Sequence, residues 1–184
     1  MISYHSTGLM NSGFSFANQK EVSFIEPIEK KFVHKVNEVN VAISEIEKIF
    51  TIDNDTFYTC QLLPQFRLSP FFDHSNDHCS MVHLIECCRQ VALALPHKYH
   101  SVPFEGFFYI IKRLDVRLLQ FFEHDSSVRL FCKEKPVKYT LTQKSFELEF
   151  EILQDQITKA IIIVDSYILH EALYNKMRKK TNSC

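Results

Sequence analysis

Apolar and polar positions change period along this chain, and the changes divide it into elements. From Val33 to Leu63 the pattern reads as strand. Val39, Val41 and Ile43 alternate, and a second run, Thr56 to Leu63, follows the turn Asp53-Asn54-Asp55. Pro64 and Pro70 punctuate a loop carrying Phe66, Phe71 and Phe72. From about Ser80 to Leu95 the period becomes helical: Met81, Ile85, Cys88, Ala92 and Leu95 fall one turn apart, and Ser80 is placed to cap the start. Pro96 ends this helix or kinks it into a further turn through His97-Lys98. Beyond it the two-residue period returns. Phe104 to Leu119 predicts one long strand or a bent pair, and Val128, Leu130 and Cys132 alternate after Asp125-Ser126-Ser127. Phe146, Leu148, Phe150 and Ile152 alternate with Glu147, Glu149 and Glu151, a strand with one wet face. Gln154-Asp155-Gln156 turns into Ala160 to Ile168, apolar enough for a central strand, and His170 to Lys180 closes as a short basic helix. Residues 1–20, rich in Ser, Asn and Gly, read as an irregular arm, which leaves 21–184 as one domain.

The helix decides the fold class. At about 100° per residue, Met81, Leu84, Ile85, Cys88, Val91, Ala92 and Leu95 cover a wide apolar sector. The remaining sector mixes Val82 and Leu93 with Glu86, Arg89 and Gln90. A helix apolar nearly all round is buried nearly all round, so sheet is expected to wrap it. One long central helix wrapped by a curved antiparallel sheet is an α+β architecture, the hotdog fold.

Composition narrows the chemistry. With 184 residues, 46% of them hydrophobic, and a formal charge of -1, the chain is globular and has no global basic field for nucleic acid or membrane. Its 3 glycines, Gly8, Gly13 and Gly106, exclude a Walker A loop and a Gly-x-Gly-x-x-Gly turn. Apolar stretches such as Ala160 to Val164 fall far short of the ~20 residues of a membrane span. Neither a secretory leader nor a Cys-x-x-Cys pair is present, and the expectation is a soluble protein of the reducing cytoplasm. His74, His78, Cys79, His83 and Cys87 cluster within fourteen positions, yet at no standard zinc spacing, and no metal is expected. The basic run from Lys176 to Lys180 suits a solvated helix end, with docking to an acidic carrier protein as a further use.

Glu86, Arg89 and Gln90 sit at i, i+3 and i+4 and share one helix face. From spacing alone a solvated polar face is the plainer reading, although Val82 and Leu93 would then be wet too. If the face is enclosed, Glu86 must be paired or protonated, because a lone buried carboxylate is costly.

Phe72-Asp73-His74-Ser75-Asn76-Asp77-His78 followed by Glu86-x-x-Arg89-Gln90 resembles the signature of the A-factor biosynthesis (AfsA-type) hotdog domain family. Val33-His34-Lys35, Leu63-Pro64, His97 and Val102-Pro103 stand in the order that family shows. The resemblance implies an acyl thioester carried on an acyl carrier protein or on coenzyme A, with no cofactor beyond that carrier's phosphopantetheine. It also implies an acyltransferase joining a 3-oxoacyl group to a hydroxyl acceptor such as dihydroxyacetone phosphate, a step toward butyrolactone signals. A single hotdog half is expected to form a homodimer with the site across the interface. Where the family commonly has Pro-Gly-Met, this chain reads Ser80-Met81-Val82.

On that footing the expected catalytic residues are Glu86, Arg89, Gln90 and His74, and the expected substrate-binding residues His78, Met81, Val82, Phe107 and Phe108. Glu86 would take the proton of the attacking hydroxyl, and Arg89 would hold Glu86 and bind a phosphate. Gln90 and N–H groups near Met81 and Val82 would polarise the thioester carbonyl, with Phe107 and Phe108 lining an acyl tunnel. His74 suits acid or base work near neutrality, or holds its loop through Asp73 or Asp77. Two other classes stay open: a hotdog dehydratase or thioesterase, and a non-catalytic acyl-binding module.

Overall fold

A computed structural model describes residues 25–63, 79–123, 126–140 and 143–181. The elements run β1 (Glu47–Ile52), β2 (Asp55–Gln61), α1 (Met81–Tyr99), β3 (Phe107–Leu118), β4 (Val128–Glu134), β5 (Lys138–Tyr139), β6 (Gln143–Gln154), β7 (Ile157–His170) and α2 (Glu171–Thr181). The strands form one antiparallel sheet in the order β1-β2-β4-β6-β7-β3, with β5 also paired to β6. This is the α+β hotdog arrangement: one long helix packed on one face of an antiparallel sheet.

Alternation explains which face the helix takes. Leu148, Phe150 and Ile152 of β6 and Ala160, Ile162, Val164 and Ile168 of β7 point inward. They meet Leu84, Cys87, Cys88, Val91, Ala92 and Leu95 of α1 in one core. Each such large side chain contributes roughly 1.5–3 kcal/mol by leaving water. Ser80 caps α1 through its hydroxyl, which accepts from His83 N–H. The far end is pinned by buried Glu134 of β4. Its carboxylate accepts from Tyr58 Oη at 3.0 Å and lies 2.8 Å from His100 Nε2.

Several expectations are corrected. From Val33 to Asn40 the chain is not strand but turn, bend and a short 3-10 helix, Glu38–Asn40. Val39 is exposed while Val41, Ala42 and Ile43 are all buried, so the apparent alternation is accidental. Gln90 of α1 takes two backbone groups at its end, as described below, and Ile43 beyond them makes an isolated bridge with Leu62. Of the two readings at Pro96 the second holds, since the helix continues through it to Tyr99. Of the two readings of 104–119 the single long strand holds, over Phe107–Leu118, with a register irregularity between Ile111 and Arg113. The wet face of β6 stops short: Glu151 is buried and accepts from Thr158 Oγ1 at 3.1 Å. The irregular arm predicted for 1–20 lies outside the described residues.

Candidate active site

On α1 the three polar residues of the Glu-x-x-Arg-Gln element do touch. Arg89 donates to Glu86 in bidentate fashion, Nε to Oε2 and Nη2 to Oε1, both at 2.7 Å. Gln90 Nε2 donates to Glu86 Oε1 at 2.8 Å, and Lys35 Nζ lies 2.9 Å from the same oxygen. The 35–42 segment covers this face, because Gln90 reaches it twice: Nε2 donates to Asn40 O and Oε1 accepts from Ala42 N–H, each at 2.9 Å. Gln90 is fully buried, whereas the Glu86 and Arg89 side chains are 21% and 32% exposed.

These partners set the chemistry. Burial alone would raise the Glu86 pKa, but Arg89, Gln90 and Lys35 hold it at about 2. A carboxylate so saturated is a weak proton acceptor at neutral pH. Gln90 likewise has both amide ends engaged within the protein, which leaves it poorly placed to polarise a carbonyl. One carboxylate against two cations leaves a local excess of positive charge at this cluster.

The other expected residues are scattered. His74 and His78 lie outside the described residues. Met81 is partly buried against the core, while Val82 is 62% exposed at the helix start. Phe107 and Phe108 are neighbours on β3 and so project to opposite faces. Phe107 packs inward, edge-on to His170, whereas Phe108 stacks on Tyr174 of α2 at 4.1 Å. The two cannot line one tunnel.

Groups that sequence reasoning did not assign to chemistry are adjacent. Lys35 completes the cluster. His34 and His97 face each other across 2.9 Å, and Arg89 acts electrostatically on His34. On β3 and β7 the buried Tyr109 hydroxyl and Ser166 hydroxyl have no hydrogen-bond partner among the described residues. Burial pushes the Tyr109 phenol up to about 12, with the positive charge of Arg89 pulling the other way. Val33-His34-Lys35 and His97 were visible as family marks, but only the fold shows that they converge.

Comparison with known proteins follows from this geometry. The A-factor biosynthesis hotdog domain family matches residues 16–169. Among solved structures the chain is similar to a putative thioesterase from Lactococcus lactis, at 11% identity and TM-score 0.52, covering 74% of this chain and 99% of that one. It is also similar to a thioesterase from Pseudomonas aeruginosa (10%, 0.41, covering 68% and 81%). A third is a hypothetical thioesterase from Streptococcus pneumoniae with coenzyme A (12%, 0.41, covering 70% and 89%). At 11% identity the first shows a shared fold alone. No curated protein matches in sequence.

Proposed function

This chain belongs to the A-factor biosynthesis hotdog domain family, and we propose that it transfers a 3-oxoacyl group from a carrier-protein or coenzyme A thioester to a hydroxyl acceptor. Family membership supports acyl-thioester processing, the coarser half of that reading. The observation carrying the finer half is the cationic pair Lys35 and Arg89 on the single carboxylate of Glu86. Such a half-buried positive site suits an acceptor bearing a phosphate, such as dihydroxyacetone phosphate, because guanidinium and phosphate match in geometry and charge. In this reading Glu86 is a positioning group: it fixes Arg89 and Lys35 rather than moving the proton.

The active unit in this proposal is a homodimer. Strand β3 pairs only with β7 among the described residues, and Ile111, Leu114 and Leu118 along it are exposed. A second copy adding its own β3 antiparallel would continue the sheet and cover these side chains. Incubating the protein with a 3-oxoacyl-coenzyme A and dihydroxyacetone phosphate, then weighing the products, tests the function. A phosphate-containing ester is expected. Free acid would replace the reading with a thioesterase, and binding without turnover would replace it with an acyl-binding module. An enoyl thioester formed from a 3-hydroxyacyl-coenzyme A supplied in a parallel assay would replace it with a dehydratase.

A further inference from the structure

Beside the ion-paired cluster, one short chain of hydrogen bonds fixes the protonation of two imidazoles. His97 Nδ1 lies 2.8 Å from Val102 O. A carbonyl oxygen can only accept, so His97 carries its proton on Nδ1. Neutral His97 is then bare at Nε2, which lies 2.9 Å from His34 Nε2. His34 must therefore donate through Nε2, and neutral His34 is left bare at Nδ1. Two N–H groups facing each other would repel, so the assignment is unique for the neutral pair.

The surroundings hold this arrangement. The His97 ring stacks on Phe104 at 4.4 Å. His34 sits at φ +53 in a turn where Lys35 N–H donates to Lys30 O, and its neighbour Val33 is fully buried. A non-glycine residue in the left-handed region is strained, and such strain gathers where a side chain must be aimed. His34 itself is exposed, hence open to an incoming group.

We propose that His34 Nδ1 is the proton acceptor of this site and that His97 is a positioning residue locking His34 in the one tautomer able to accept. The inference rests on the acyl-transfer reading above. In it, the acceptor hydroxyl gives its proton to His34 Nδ1 as its oxygen bonds to the thioester carbonyl carbon. The C–S bond then breaks and the proton passes to the departing sulfur, so an alcohol and a thioester yield an ester and a thiol. Throughout, His34 keeps its Nε2–H···Nε2 bond to His97. Partial burial of the ring, then the charges of His97 and Arg89, both on α1, keep the His34 pKa below the ordinary histidine value, so it is free to accept at neutral pH.

The test uses the full chain. Two-bond proton–nitrogen correlation of histidine labelled with nitrogen-15, at pH 7.5, should show His97 protonated at Nδ1 and His34 at Nε2. The reverse or a mixture for either ring overturns the inference. His34→Gly relieves the positive φ, so it should fold, and it leaves room for free imidazole. With a 3-oxoacyl-coenzyme A and dihydroxyacetone phosphate, kcat should fall about 100-fold or more with KM little changed, and added imidazole should restore at least part. His97→Phe keeps the stacking but not the relay; it should lower kcat by about tenfold and shift the acid limb of the pH–rate profile. Undiminished kcat in folded His34→Gly overturns the inference while the transferase reading stands. No transfer by the wild-type protein overturns both.

Discussion

Replacing Glu86 by Gln keeps the shape of the side chain and removes its charge. In the folded protein the carboxylate titrates at about 2, against an ordinary value of 4.5, because Arg89, Gln90 and Lys35 outweigh the effect of burial. That depression corresponds to about 3 kcal/mol at most, present in full above the unfolded pKa. Between pH 4.5 and 2 the unfolded chain binds more proton at this position than the folded one, so stability falls as pH falls. The Gln variant lacks this dependence and leaves two cations without their anion. Urea unfolding should therefore find the variant less stable by up to about 3 kcal/mol at pH 7. The gap should narrow steadily below pH 4.5, fall to about 1 kcal/mol at pH 2.5 and close only as pH drops below the folded value of about 2. Far-UV circular dichroism is a suitable signal, since the chain has no tryptophan. Because other carboxylates titrate alike in both proteins, the difference isolates Glu86. A gap of constant size across that range, or none at pH 7, would refute the account of Glu86 as an ionised anchor.

Three further outcomes follow from the same geometry. Gln90→Leu strands Asn40 O and Ala42 N–H in the interior and should cost roughly 2–5 kcal/mol in urea unfolding; a loss below 1 kcal/mol would mean the 35–42 segment is held otherwise. Burial raises the thiols of Cys60, Cys87, Cys88 and Cys132, so none of the four should react with Ellman's reagent until the protein unfolds. Leu114→Glu with Leu118→Glu should turn a sedimenting dimer into a monomer or an aggregate without altering the far-UV spectrum, whereas a wild-type chain that sediments as a monomer at micromolar concentration would remove the proposed β3 interface.

Sequence reading recovered the frame because the frame rests on period. The strands of the second half and the long helix each carry a one-face pattern that burial enforces, and α1 between β2 and β3 implied the architecture. Reading failed where backbone groups are satisfied by side chains. Nothing in Val39, Val41 and Ile43 reveals that Gln90, about fifty positions away, claims Asn40 O and Ala42 N–H and ties the segment to the helix. The site was half legible for the same reason. Spacing placed Glu86, Arg89 and Gln90 on one face, but the saturation of that carboxylate depends on Lys35, which only tertiary folding delivers. The His34–His97 contact joins a turn to the end of a helix, a pairing no local pattern encodes.

The sheet order also bears on how the chain is made. Strand β3 leaves the ribosome before β4, yet among the described residues its one partner is β7, the last of the described strands in chain order. Until β7 arrives, the nascent chain holds a twelve-residue ribbon with bare amides on both sides and a helix whose apolar flank has no floor. Such non-local closure is slow and invites capture by other chains. Production of this protein is therefore expected to depend on chaperone supply and slow translation more than on the stability of the finished fold.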